Sequence, residues 1–115
     1  MRVVVIDDDR DVCALVALAL RLAEERCVVE QAHTLADGID IARRVEPSVV
    51  VTDLVLGGPE DPAELLGRLR QAVPAARVVV FSGHVPPEGL SPALLDGHVL
   101  KGADVARLVD VVLRG

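Results

Sequence analysis

Three short apolar runs built on consecutive valines recur along this chain: Val3–Ile6 (VVVI), Val49–Val51 (VVV) and Val78–Phe81 (VVVF). A strand with one face in water alternates apolar and polar residues, whereas a strand covered on both faces stays apolar throughout. The three runs therefore predict strands buried inside a parallel sheet. Two weaker runs complete the set. Residues 27–32 (CVVEQA) mix polar and apolar positions and predict a strand nearer an edge, and residues 98–101 (HVLK) predict a short final strand.

Between these runs the pattern turns helical. A first helix is predicted from about Asp9 to Glu25, and a second is expected to open at Thr34, whose hydroxyl and Asp37 would make a capping box. The third starts sharply, with Asp61 as cap, Pro62 at the first helical position and Glu64 at the third. The last spans about Ala103 to Leu113. Regular alternation asks for one more helix within residues 85–97 (VPPEGLSPALLDG). Pro86, Pro87, Gly89 and Pro92 restrict it to a short or irregular one beginning near Pro92. Five strands alternating with helices predict an α/β layered fold with right-handed crossovers. With 115 residues and no repeat or low-complexity stretch, residues 1–115 are expected to form a single domain, and no output domain is expected after the last helix.

Composition narrows the function. The chain is 51% hydrophobic and 26% charged, a globular balance, and Phe81 is its only aromatic residue. Its core must be built from Val, Leu, Ile and Ala, and it has no aromatic platform for stacking bases. A net charge of −6 also argues against direct nucleic-acid binding, which rests on cationic phosphate contacts. The longest apolar run, Val12 to Leu20, is too short to span a bilayer, and the N-terminus lacks a signal-peptide layout. A cytoplasmic location follows as the expectation. In that reducing compartment Cys13 and Cys27 are expected to be small core residues rather than a disulfide.

The strand ends carry the chemistry. The first run ends in Asp7 and Asp8, the third strand in Asp53, the fourth in Ser82 and the fifth in Lys101. Ligands of open parallel sheets sit beyond the carboxyl ends of the strands, where strand order reverses, so these residues face one crevice. Two carboxylates 4 Å apart repel by about 4 kcal/mol at an effective dielectric near 20. Either water solvates them as an ordinary loop, or something positive belongs there. Lys101 is the only lysine beside eleven arginines, and its compact ammonium suits a single carboxylate or phosphoryl oxygen. Asp9 reads as a helix start that favours the dipole.

Four pieces in order, VVVIDDD (3–9), VVVTDLVL (49–56), VVVFSGH (78–84) and DGHVLK (96–101), resemble the response-regulator receiver domain (CheY-like) of two-component signalling. The resemblance implies a flavodoxin-like, doubly wound, five-stranded parallel sheet in order 2-1-3-4-5 with helices on both faces. It implies Asp53 as phosphoacceptor, Asp7 and Asp8 as the acidic pair, Ser82 as the hydroxyl residue and Lys101 as the lysine of the site. A carboxylate can attack phosphorus to form an aspartyl phosphate. Among so many negative charges that reaction needs a divalent cation, and Mg²⁺ takes carboxylate, phosphate and water oxygens. The expected ligands are Asp8, Asp53 and the backbone carbonyl of Val55, with Asp7 binding directly or through water. The implied partner is a sensor histidine kinase or phosphotransfer protein; the resemblance leaves open a stand-alone receiver, a homodimer or one domain of a longer regulator with a tethered output domain. Such a domain is no enzyme beyond catalysing its own phosphorylation and dephosphorylation. On the nearly all-apolar first helix, Ala14, Ala17 and Leu18 would offer a partner contact.

The match has departures. Gly57 stands where a proline usually follows the acceptor, and Gly102 replaces the proline after the lysine. His98 occupies the position of the usual aromatic switch, while Val55 and His84 occupy two positions that tune phosphoryl lifetime. These departures keep open a pseudo-receiver, an interaction module that does not use phosphate. A Mg²⁺-dependent phosphohydrolase would want a second Asp at Val55, and has none there.

Overall fold

The uninterrupted apolar runs become the three central strands of a parallel sheet. In a computed structural model describing residues 1–115, the first half of the chain gives β1 (Arg2–Ile6), α1 (Arg10–Ala23), β2 (Val28–Ala32), α2 (Leu35–Val45) and β3 (Val49–Thr52). The second half gives α3 (Pro62–Ala72), β4 (Arg77–Ser82), β5 (Gly97–Leu100) and α4 (Val105–Arg114). The strand order is β2-β1-β3-β4-β5, and every pairing is parallel. This is the flavodoxin-like order that the resemblance implies, and the mixed run 27–32 lies at the edge, as expected.

Alternate residues of each strand face opposite layers. Val4, Ile6, Val50, Val78 and Val80 pack against α2 and α3, through residues such as Ile39, Leu65 and Leu69. Val3, Val5, Val49, Val51, Val79 and Phe81 pack against α1 and α4, through Val16, Leu20, Leu108 and Val112. Two apolar layers leave no room for a polar residue in the three central strands short of Thr52 and Ser82 at their ends, apart from Arg2 and Arg77 at their starts.

The caps follow their residue types. Asp9 accepts from the N–H groups of Asp11 and Val12, Thr34 from Asp37, Asp61 from Glu64 and Asp104 from Ala106. Between β4 and β5 the proline-rich segment holds only a single 3₁₀ turn, Pro92–Leu94. Asp96 ends that segment: its carboxylate accepts from the Val78 N–H at 2.7 Å and from Arg70 Nη2 at 2.8 Å. Those bonds tie the start of β5 to β4 and α3. No helix is long and apolar enough to cross a membrane. Both cysteines are free and buried.

One expectation for α1 is corrected. Ala17 does not face outward; it is buried with Cys13, Val16 and Leu20, on the same stripe at helical spacing. The exposed apolar residues of α1 are Leu15, Leu18 and Leu22, with Ala14 beside them.

Helix α2 comes unusually close to the sheet at Gly38. A Cβ there would overlap Cδ1 of the buried Ile6 and lie 2.8 Å from its Cγ1, whereas a Cβ at Gly67 of α3 meets nothing within 4 Å. Both positions are mid-helix, where alanine is favoured over glycine by about 1 kcal/mol. Overpacking a filled core costs about 1–3 kcal/mol. Gly67→Ala should therefore raise the urea midpoint and Gly38→Ala should lower it. Equal shifts in the two variants would remove the close approach.

Candidate functional site

Backbone hydrogen bonding continues one residue past each strand and fixes the site. The Asp7 N–H donates to the Ala32 carbonyl at 3.0 Å, that of Asp53 to Ile6 at 3.2 Å, and that of Lys101 to Ser82 at 2.8 Å. Asp7, Asp53 and Lys101 are thereby held at the carboxyl edge of the sheet by the same ladder that pairs the strands. Asp8, the next residue, is exposed to solvent.

The side chains converge. Carboxylate oxygens of Asp7, Asp8 and Asp53 lie within 4.8 Å of one another. Lys101 Nζ bridges two of them, 2.8 Å from Asp7 Oδ2 and 2.7 Å from Asp53 Oδ2. The other oxygens are also engaged: Asp7 Oδ1 accepts from the Asp9 N–H at 2.9 Å, and Asp53 Oδ1 from the Leu54 N–H at 2.7 Å. Three carboxylates against one ammonium leave the cluster with two net negative charges. An all-oxygen donor set with no thiolate or imidazole in it suits a hard divalent cation.

Burial and charge act together on these groups. Asp7 is 2% exposed, and burial raises its carboxyl above the ordinary 3.8 despite the opposing bonds from Lys101 and the Asp9 N–H. Burial pushes Lys101 down, but its bonds to Asp53 and Asp7 outweigh this and leave it above the ordinary 10.5. Cys13, beneath Asp7, is pushed up to about 11 by burial and then by the Asp7 charge.

The remaining candidates lie around this cluster. Ser82 is buried at the end of β4, and its hydroxyl donates to the His84 carbonyl and accepts from the His84 N–H, so it turns toward its own loop. Val55 is exposed, as is His84. His98 sits three residues before Lys101 and is half-buried, opposite Val80, with its Nε2 buried and unpartnered. The loop after Asp53 takes φ +78° at Gly57, a conformation closed to the proline usual there. Sequence reading missed His33. Its Nδ1 lies 3.1 Å from the Asp7 carbonyl, a contact made only because β1 and β2 pair in register, Ile6 opposite Ala32. The one signal was a histidine directly after the edge strand.

A parallel sheet in this order, with carboxylates and one lysine gathered at its carboxyl edge, defines a CheY-like receiver module. The chain belongs to the response regulator receiver domain family, whose model matches residues 3–113. Solved structures with the same fold include a CheY-like receiver domain protein from Methanospirillum hungatei JF-1. It has a TM-score of 0.84 at 20% identity, with 96% of this chain and 89% of that chain covered. The chemotaxis protein CheY4 of Vibrio cholerae gives 0.84 at 18% identity over 98% and 96% of the two chains. A Burkholderia pseudomallei response regulator, solved with a phosphorylated aspartic acid, a calcium ion and citrate, gives 0.76 at 23% identity over 98% and 66%. No curated protein matches by sequence.

Two predictions follow from the charges. Asp8 touches neither Lys101 nor a cap, so Asp8→Asn relieves repulsion without breaking a bond. It should stabilise the metal-free protein by about 1 kcal/mol, the scale of two charges near 4 Å in water, measured by urea unfolding in EDTA. The second concerns alkaline pH, where a chain with one lysine and no tyrosine titrates few groups. The Lys101 ion pairs are fully formed below pH 10.5 and are lost as pH rises through the raised folded value. Folded Cys13 keeps its proton to about 11 from an ordinary 9.0, so stability falls once the unfolded thiol ionises. The melting temperature should decline in two stages above pH 9, and Lys101→Met should remove only the later one.

Proposed function

We propose that residues 1–115 act as one phospho-accepting receiver domain of a two-component phosphorelay in the cytoplasm. An Asp53 carboxylate oxygen attacks the phosphorus of a phosphohistidine on a sensor kinase or phosphotransfer protein. The new P–O bond forms as the P–N bond breaks, and the histidine leaves as neutral imidazole, its ring having taken one proton from solvent. The observation that carries this reading is Lys101 bridging Asp53 and Asp7 in a crevice of three convergent carboxylates.

Each residue has a role that its contacts support. The Leu54 N–H and Lys101 orient the Asp53 carboxylate, which is only partly exposed. Asp8, Asp53 and the Val55 carbonyl would hold Mg²⁺, with Asp7 as a direct or water-mediated ligand, and the oxygen-only donor set fits it. The cation, when bound, supplies charge neutralisation for the phosphoryl oxygens. Lys101 then serves the phosphoryl group as it serves the two carboxylates, and the Ser82 hydroxyl exchanges its His84 carbonyl partner for a phosphoryl oxygen. That exchange biases a two-state equilibrium. His98 and His84 lie where they would modulate the switch.

A second reading, the phosphate-independent pseudo-receiver, draws on Gly57, whose φ of +78° gives the loop beyond Asp53 a path of its own. Incubation with Mg²⁺ and acetyl phosphate or phosphoramidate, followed by intact-mass measurement, separates the two. A phosphoryl adduct that Asp53→Asn abolishes supports the receiver; no adduct with either donor supports the pseudo-receiver. The exposed, apolar Val55 cannot hold an attacking water. Val55→Asn should shorten the lifetime of the adduct several-fold, and unchanged decay would refute that role.

A further inference from the structure

We infer that His33 is a positioning residue for the acidic pair, holding the Asp7–Asp8 peptide in the geometry that a divalent cation requires. The inference rests on the metal reading above and goes beyond it, since His33 is not a ligand and lies outside the motifs of the site.

The Asp7 backbone is gripped from both sides by the end of β2. Its N–H donates to the Ala32 carbonyl at 3.0 Å, and its carbonyl faces Nδ1 of the next residue, His33, at 3.1 Å. A carbonyl oxygen only accepts, so Nδ1 must carry the proton. Both the neutral Nδ1–H ring and the imidazolium satisfy this, so the bond does not depend on the charge of His33. The side chain thus adds one more rung to the β1–β2 ladder, beyond the last backbone pair, Ile6 and Ala32.

That rung acts on the pair of acids. The Asp7 carbonyl belongs to the planar peptide unit that joins Asp7 to Asp8. Fixing its oxygen fixes ψ of Asp7 and φ of Asp8, and so the placement of one carboxylate relative to the other. On the far side of this unit the Asp9 N–H is held by Asp7 Oδ1 at 2.9 Å. Repulsion among three carboxylates within 4.8 Å pushes the unit to rotate and separate them. The other side-chain contact to this oxygen is the Cys13 thiol at 3.4 Å, a weak donor that cannot hold it alone. Lys101 grips the carboxylate of Asp7 but nothing of Asp8.

The test is calorimetric titration of the purified chain with MgCl₂ at fixed pH and ionic strength, beside metal-free melting of each variant. His33→Ala should weaken Mg²⁺ binding by about tenfold, the usual effect of losing a group that orients a metal ligand. His33→Asn places an amide N–H where Nδ1 stands and should restore affinity to within about twofold, the allowance for an imperfect isostere. His33→Gln, whose amide reaches the Nε2 position, should remain as weak as His33→Ala. A merely structural role would make affinity follow the metal-free melting temperature rather than the Asn-against-Gln contrast. Wild-type affinity in His33→Ala, or failure of His33→Asn to restore it, overturns the positioning role alone. No Mg²⁺ binding by the wild-type chain overturns the metal reading and the positioning role with it.

Discussion

Three carboxylates in one crevice repel one another, and the rest of the structure is arranged around that repulsion. Lys101 offsets part of it by bridging Asp7 and Asp53, yet two negative charges remain uncompensated. The cluster persists because the acids are not free to move apart. Each strand end is fixed by a backbone bond to its neighbour, and those strands are held by apolar layers on both faces. Sheet register and acid geometry are therefore one constraint. A slip of one residue between β1 and β3 would exchange the faces of every Val in the run and separate Asp7 from Asp53 together.

Burial gives this cluster its asymmetry. Asp7 is enclosed and its proton affinity is raised by desolvation, while Asp8 stands in water. The ammonium reaches the enclosed acid and Asp53, which are the two groups that solvent helps least. The exposed acid is left to solvent or to an incoming cation. A flexible, compact amine can make this double contact from one position, whereas a guanidinium would have to splay its fork between two carboxylates on different strands. This accounts for a lone lysine in a chain that otherwise uses arginine.

How much of this was legible in the sequence depended on whether the signal was local. Continuous Val runs report burial on both faces, so β1, β3 and β4 could be read directly, and Asp61-Pro62 marked the start of α3 to the residue. The acids and Lys101 were legible because strand ends share one edge in a parallel sheet. Ala17 was misplaced because a helix rich in alanine and leucine all round offers no polar face to set its rotation; only packing decides that Cys13, Val16, Ala17 and Leu20 turn inward. His33 was invisible for another reason. Its partner is a backbone carbonyl 26 residues away, and backbone atoms carry no sequence signal.

The segment from Gly83 to Asp96 shows how the crevice is joined to the rest of the molecule. Lys101 is linked to the end of β4 through the Ser82 carbonyl, and Ser82 binds both polar backbone atoms of His84. At the far end, Asp96 is pinned to Val78 and Arg70. Between these anchors the backbone makes only two local bonds, Leu90 to Pro87 and Leu94 to Ser91. Low hydrogen-bond density marks a segment that rearranges at small cost in free energy. Its three prolines limit how, because each fixes its own φ and restrains the residue before it. On the proposed reading, a change in the partner of the Ser82 hydroxyl would reach His84 first, because both polar backbone atoms of His84 bind that hydroxyl. From there the prolines leave the segment few paths along which to move before the anchored start of β5, where the Nε2 of His98 lies buried and without a partner.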